Sequence, residues 1–237
     1  MKLYDSIIKD TIDVLTPYTP RRFTVSDDLT WKIGHSNEIL LKKDSQFELG
    51  GSFKSAVNYQ CVTSSNNFIN KDEILLYGED LNKIKEDISF ARIVFLDIDN
   101  LGDDESSYKA IKELEFIKYN MNLKGYMMRA SAMDNREQVR VAKSAVADGI
   151  SFKNIGNSFI NEYKQAKFIR AVRIIFITLN IPIYKKLAEN AKKINKITLT
   201  LNHVLNNMNL DCSSCDLKPI CDEVEGMREL HFKSNMK

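Results

Sequence analysis

Three cysteines, Cys212, Cys215 and Cys221, fall within ten residues of one another. Two cysteines with two residues between them can grip one metal centre from a single tight turn, because both thiolates then converge. A third, six positions later, can close over the same centre. The only other cysteine is Cys61, distant in sequence. In a chain expected to be intracellular, such a cluster points to metal rather than to disulfides. The fourth ligand is open between His231, ten residues beyond Cys221, and Cys61. An iron–sulfur cluster is the leading centre, since thiolates dominate such clusters and histidine can stand at one iron. Zinc is the alternative; it accepts three cysteines and a histidine, though its ribbons usually pair two Cys-x2-Cys turns. Unliganded surface thiols are the plain reading.

A second constellation is basic. Arg129 ends an expected strand, and Asp134 with Glu137 resembles a capping box opening a helix over 135–148. On that helix Arg136 and Arg140 lie one turn apart, and Lys143 continues the stripe. A strand-to-helix turn offers free N–H groups and a positive dipole end, and arginine adds bidentate contacts to phosphate. A solvated basic face is the plain alternative. Asp97 and Asp99 share a strand face and could hold a divalent cation with phosphate, although strands often simply end in solvated carboxylates. Gly50-Gly51 fits no phosphate-binding fingerprint and reads as a tight turn. His35 and His203 have no acid, base or cysteine partner legible in the sequence.

These residues need elements to position them. Leu3, Ile7, Ile8, Ile12 and Leu15 have helical spacing over 2–15, ahead of Pro17 and Pro20. Residues 17–37 read as irregular, pinned to the body by Phe23 and Trp31. Strands are expected at 55–63, 73–77, 90–98, 125–132 and 171–178. Helices are expected at 79–86, 105–120, 135–148, 157–168, 183–194 and 198–208. This alternation predicts an α/β (α+β) fold: a layered mixed sheet with flanking helices and a C-terminal cysteine-rich, metal-binding segment. The expected division is 1–44, an N-terminal helix and irregular segment packed on the body; 45–208, the α/β domain; and 209–237, the cluster-binding segment.

Composition removes other classes. The 34 basic residues nearly cancel the 32 acidic ones, leaving a net charge of +2, which fits neither a polybasic nucleic-acid binder nor a disordered polyelectrolyte. Lys9, Asp10 and Asp13 interrupt any N-terminal apolar run. The stretch from Ala171 to Leu179 contains Arg173 and falls far short of the ~20 residues that span a bilayer. The expectation is a soluble cytoplasmic protein without nucleic-acid or membrane partners.

Several short motifs have a common order. Phe47-Glu48-Leu49-Gly50-Gly51 comes first, followed by Glu73-Ile74-Leu75-Leu76-Tyr77-Gly78-Glu79-Asp80-Leu81 and then Met127-Met128-Arg129-Ala130-Ser131. Phe152 with Gly156, the strand end Phe176-Ile177-Thr178 and the cysteine segment complete the series. In this order, over roughly residues 45–231, the chain resembles the middle domain of the acetyl-CoA synthase subunit of the CO dehydrogenase/acetyl-CoA synthase complex. The resemblance implies that the cysteine segment holds a [4Fe-4S] cluster, as in that family's nickel–iron–sulfur centre. Cys212, Cys215 and Cys221 match the first three cluster cysteines, and His231 stands where the family has its fourth. Arg129 matches an arginine position proposed in the family to receive coenzyme A, with Arg136 and Arg140 as its neighbours in the basic stripe.

There are departures. Only five residues separate Cys215 from Cys221, fewer than in the family, and the fourth thiolate is missing. No Cys-Gly-Cys follows for a second nickel, so the expectation is a chain without the family's nickel-binding C-terminal domain. The implied function is an iron–sulfur protein related to acetyl-CoA synthase, acting in anaerobic one-carbon or acyl-CoA metabolism by redox or cluster-based catalysis. Its partner would be of the CO dehydrogenase/acetyl-CoA synthase type or a redox protein. The alternative is a non-enzymatic module, stapled by zinc or a cluster, that docks on such a partner. A third reading is an ordinary α/β enzyme of a phosphate ligand with an incidental cysteine tail.

Overall fold

Phe90-Ala91-Arg92-Ile93-Val94-Phe95-Leu96-Asp97-Ile98 reads as a nearly unbroken apolar run, which is how a strand covered on both faces must read. In the computed structural model this segment, β5 (Phe90–Ile98), is buried along its whole length. The structure describes residues 3–35, 38–51, 53–65, 67–101, 104–131 and 135–205. β5 lies in a five-stranded sheet with β1 (Arg21–Phe23), β3 (Ala56–Thr63), β4 (Glu73–Tyr77) and β8 (Ile169–Ile177), in the order β1-β4-β8-β5-β3. The sheet is mixed: β3 with β5 and β4 with β8 are parallel, while β5 with β8 and β1 with β4 are antiparallel. A second, antiparallel sheet of β2 (Ser45–Leu49), β7 (Arg136–Ala142) and β6 (Tyr126–Ser131) flanks the β3 edge.

Helices cover both faces of the larger sheet. Adjacent residues of β3 show this, because side chains alternate along a strand. Gln60 accepts a hydrogen bond from Tyr163 of α4 (Phe152–Tyr163), at 2.7 Å. Tyr59 meets the Thr11 hydroxyl of α1 (Asp5–Leu15) on the other face, also at 2.7 Å. There α5 (Tyr184–Leu205) joins it, with Asn190 donating to Thr11. Ser151 caps α4 by accepting from the Asn154 N–H. Gly156 lets α4 sit close on β4, since a Cβ there would come within 2.7 Å of Ile74. Phe90, Phe152 and Phe176 stack between that helix and the sheet, the last two with centroids 4.6 Å apart. α2 (Asp104–Asn120) and the short α3 (Lys143–Ala147) complete the α-helices among the described residues, beside two 3-10 turns at Asp27–Leu29 and Lys42–Asp44.

The strands expected at 73–77 and 90–98 fall on those residues, and the other three shift by at most two residues at an end. Trp31 and Phe23 pack against the core, and the Trp31 indole donates to the Lys124 carbonyl. Several expectations need correction. Residues 79–86 form turns, not a helix; Leu81 and Ile84 are buried three positions apart, which imitates a helical stripe. The expected break between 194 and 198 is absent, and α5 runs through it. The segment 17–37 contains β1, paired to β4. The helix expected over 135–148 is β7 followed by α3. No described helix is long and apolar enough to cross a membrane.

Candidate functional site

β7 moves the basic stripe from a helix to a sheet. Arg136, Gln138 and Arg140 alternate with the inward residues Glu137, Val139 and Val141. Arg129 on β6 pairs across with Gln138, and Met127 pairs with Arg140. Residues paired in register share a face, so Arg129, Arg136 and Arg140 all stand on one face of the small sheet. They do different things there. Arg140 is paired with the buried Glu48 of β2, Nε to Oε1 at 2.8 Å, and also donates to the Leu40 carbonyl. Burial pushes the Glu48 carboxyl up, but hydrogen bonds from Arg140 and Gln138 outweigh it and hold the group below the usual carboxylate range. Arg129 is exposed and makes no ion pair among the described residues. Arg136 turns toward the loop after β2, where its Nη2 reaches the Lys54 carbonyl at 3.4 Å.

That loop gives the Phe47–Gly51 motif its physical meaning. Glu48 anchors the end of β2 to β7, and its own N–H is held by Asp87. Gly50 then takes φ = +65°, and a Cβ there would lie 2.7 Å from both Ala56 and the Glu137 carbonyl. The chain reverses into β3 with Phe53 and Lys54 exposed on the loop. The loop, Asn135–Arg136 and one face of α5 enclose a cleft of about 810 Å³. Lys54, Arg136, Lys185 and Lys192 line it, and no described lining residue carries a carboxylate.

Behind the cleft lies a buried polar network. Arg92 of β5 and Glu137 of β7 form an ion pair that excludes solvent completely, Nη2 to Oε2 at 2.7 Å. Arg92 also donates to the Lys118 carbonyl and stacks on Phe159, with its guanidinium carbon 4.2 Å from the ring centroid. Burial works against the Arg92 charge, but the Glu137 carboxylate outweighs it, so the guanidinium stays protonated. Lys118, also buried, donates to Asn135 Oδ1 at 3.0 Å. Burial lowers its pKa to about 8. Asn135 sits at φ = +46°, donates to the Ala191 carbonyl and Asn195 Oδ1 of α5, and accepts from the Asn58 N–H of β3. One residue thereby ties the entry of β7 to β3, α2 and α5.

Sequence reading found Arg129, Arg136 and Arg140 but missed Lys54, Lys185, Lys192 and the network. Its available signals were the charge inside the apolar run of β5 and the carboxylate among the inward residues of β7.

The metal candidates divide. Cys212, Cys215, Cys221 and His231 lie outside the described residues. Cys61 is buried in the middle of β3, opposite Phe95, and burial pushes its thiol pKa far up. Asp97 is paired with Arg170, Nε to Oδ2 at 3.0 Å, and Asp99 lies 3.9 Å from the same guanidinium. Among the described residues no group of three or more His, Cys, Asp or Glu is placed to hold a metal ion.

None of the curated proteins matches this sequence. A family model does: the one described as the CO dehydrogenase/acetyl-CoA synthase complex beta subunit matches residues 29–182. The match takes in β2 to β8, the Phe47–Gly51 turn and the whole buried network except its α5 contacts. It ends before α5 and before the cysteine segment. With more than half of its length matched, the chain belongs to the family of the CO dehydrogenase/acetyl-CoA synthase complex beta subunit.

Proposed function

We propose that this protein is a cluster-carrying component of a CO dehydrogenase/acetyl-CoA synthase type assembly, working in the cytoplasm in anaerobic one-carbon and acyl-CoA metabolism. The observation that carries the reading is the family match through the sheet core. The cysteine segment, beginning seven residues after α5, supplies the donors. Cys212, Cys215, Cys221 and His231 would hold a [4Fe-4S] cluster. Three thiolates and one imidazole suit such a cluster; zinc accepts the same set. When bound, the cluster would supply one-electron transfer or an iron with an exchangeable ligand. In this reading residues 45–208 form the scaffold and 209–237 the cluster segment, with 1–44 packed on the body.

Coenzyme A is the small ligand of this reading, and the cationic cleft favours it. Arg136 is the expected arginine that reaches the cleft. Arg140 acts through Glu48, as a positioning residue for the cleft loop. Arg129 extends the positive surface on the same sheet face.

The test is anaerobic purification with metal analysis and a visible spectrum, on wild type and His231→Ala. About four iron per chain with a broad visible charge-transfer band is expected, and the His231→Ala spectrum should change while iron is retained or partly lost. One zinc and no chromophore would overturn the cluster assignment in favour of a structural staple.

A further inference from the structure

We propose that residues 33–41, with the turn from α2 into β6, form a docking surface for an acidic segment of a partner protein, which seats one aromatic side chain in the pocket there. This rests on the reading of the chain as a component of an assembly, and it is independent of the cluster and of coenzyme A.

Apolar exposure is the first argument. Six large hydrophobic side chains are exposed among the described residues, and three of them, Ile33, Ile39 and Leu41, fall within nine residues. Ile33 and Ile39 keep 84% and 71% of their surface open. The backbone that carries them is held firmly. The Gly34 N–H donates to the Asn122 carbonyl at 3.0 Å, and the Leu40 N–H to the Met127 thioether at 3.2 Å. The Leu40 carbonyl accepts from Arg140 at 3.0 Å. Leu40 itself is buried, while its neighbours Ile39 and Leu41 are exposed. Clustered apolar side chains on a fixed backbone mark a surface that another protein covers, and covering them orders little that is not already ordered.

The pocket is the second argument. The segment 34–40 forms one wall of a pocket of about 150 Å³. Tyr119, Met121, Leu123, Tyr126, Met127 and Met128 supply the rest of its apolar lining. An apolar cavity of about 150 Å³ accepts a benzene ring, so this pocket has room for one aromatic side chain. Thioethers and tyrosine rings both favour an aromatic guest over an aliphatic one. A single well-fitted ring surrounded by weaker apolar contacts is the usual form of an interface anchor.

Charge is the third argument, and it selects the partner. Lys42 and Lys43 follow Leu41 directly, and Lys143 donates to the Lys43 carbonyl at 3.1 Å. Lys124 lies at the other end, its N–H bonded to the carbonyl of Lys32 beside Ile33. These four lysines are exposed and make no ion pair among the described residues, whereas Lys32 is paired with Asp148. The carboxylates among them are Asp44, which follows Lys43, and Glu38, which lines the pocket and folds back over Gly34. Cations therefore flank the apolar cluster at both ends and outnumber the acids. A partner with glutamates or aspartates on both sides of its anchor is steered to this surface and held in register.

Methionine-methyl NMR of the full chain tests this. The probe is the peptide acetyl-Glu-Glu-Trp-Glu-Glu-amide, and its controls carry lysine for glutamate or alanine for tryptophan. The probe should shift the Met127 and Met128 signals saturably, with a Kd below about 1 mM, and added salt should weaken it. Each control peptide should bind at least about tenfold more weakly. Ile39→Ser and Lys43→Glu, both at exposed positions, should each weaken the probe by about threefold or more, and Glu38→Gln should strengthen it. No saturable shift up to about 5 mM overturns the proposal, as does a lysine peptide that binds as tightly. The same signals moving with protein concentration alone, together with a doubled mass, would give the surface to a second copy and overturn the partner. Mixing the chain with CO dehydrogenase from the same cells tests the assembly reading separately. A complex that leaves these methionines unchanged and tolerates Ile39→Ser keeps the assembly and overturns this surface. Probe binding at the methionines without any complex supports the surface and removes the assembly reading.

Discussion

In the five-stranded sheet, β3, β4 and β5 are buried along their whole length, and the carboxylates sit at or next to strand ends, Glu73 paired with Arg173 and Asp97 with Arg170. The three-stranded sheet is built differently. β7 leaves alternate residues open at its start, β6 is at least partly open at every residue after Tyr126, and three arginines stand on one face while Glu137 points inward. Arg92 is the bridge, a fully buried charge within β5 of the apolar sheet that meets that carboxylate. The comparison separates roles. The larger sheet supplies the hydrophobic burial that holds the fold. The smaller one spends its polar residues on fixing a loop, a helix and a cationic cleft relative to each other.

Breaking the bridge should have the largest effect. Glu137→Leu leaves a buried guanidinium without its counter-charge and should cost about 3–5 kcal/mol by denaturant unfolding. The double variant Arg92→Met with Glu137→Leu should recover most of that, because two apolar groups need no partners. A double variant as unstable as the single one would mean that the pair carries more than its own charge balance.

Lys118 sharpens the comparison through pH. Burial depresses its pKa to about 8, against roughly 10.4 in an unfolded chain. Between those values the unfolded chain holds a proton that the native lysine has lost. Stability from this group therefore rises as pH climbs through the window, and the burial penalty is fully present below about pH 8. Cys61 acts in the opposite sense above about pH 8.5, because burial keeps its native thiol protonated. The two are separated by subtraction. The stability of wild type relative to Lys118→Met should rise by about 2 kcal/mol from pH 7.5 to 9.5. A flat difference would contradict the burial of that charge.

The smallest effects lie on the open face. Arg140→Ala removes the partner of a buried carboxylate and should cost about 1–3 kcal/mol. Arg129→Ala, on the same face but exposed and unpaired among the described residues, should stay within about 0.5 kcal/mol in the same denaturation assay. Equal costs would erase the distinction between positioning arginine and surface arginine.

Legibility in the sequence follows the same division. Four of the five strands of the larger sheet announced themselves because burial demands continuous apolar runs, and the ends of β4 and β5 could be read to the residue, whereas the short, exposed β1 gave no such signal. β7 was hidden because its inward row opens with Glu137 where an apolar residue would have shown the period of two, and Arg, Glu and Gln are good helix formers. Asn135, at positive φ, then looked like the first turn of that helix. The cleft was legible only in Arg136. Lys185 and Lys192 look like any solvated lysines until α5 is laid against the loop carrying Lys54. The Phe47–Gly51 motif was recognisable as a pattern, but its role in clamping that loop needed the partner Arg140, which is far away in sequence. The cysteine segment was the clearest chemical signal in the sequence, and it lies outside the described residues.

The most direct test of the division between scaffold and ligand side is deuterium uptake by the full chain with and without saturating coenzyme A. Slower exchange is predicted for residues 51–57, 135–136 and 184–195, with β5 and β8 unchanged. Protection centred on β4 and α4, or no change anywhere under conditions where coenzyme A is bound, would contradict it.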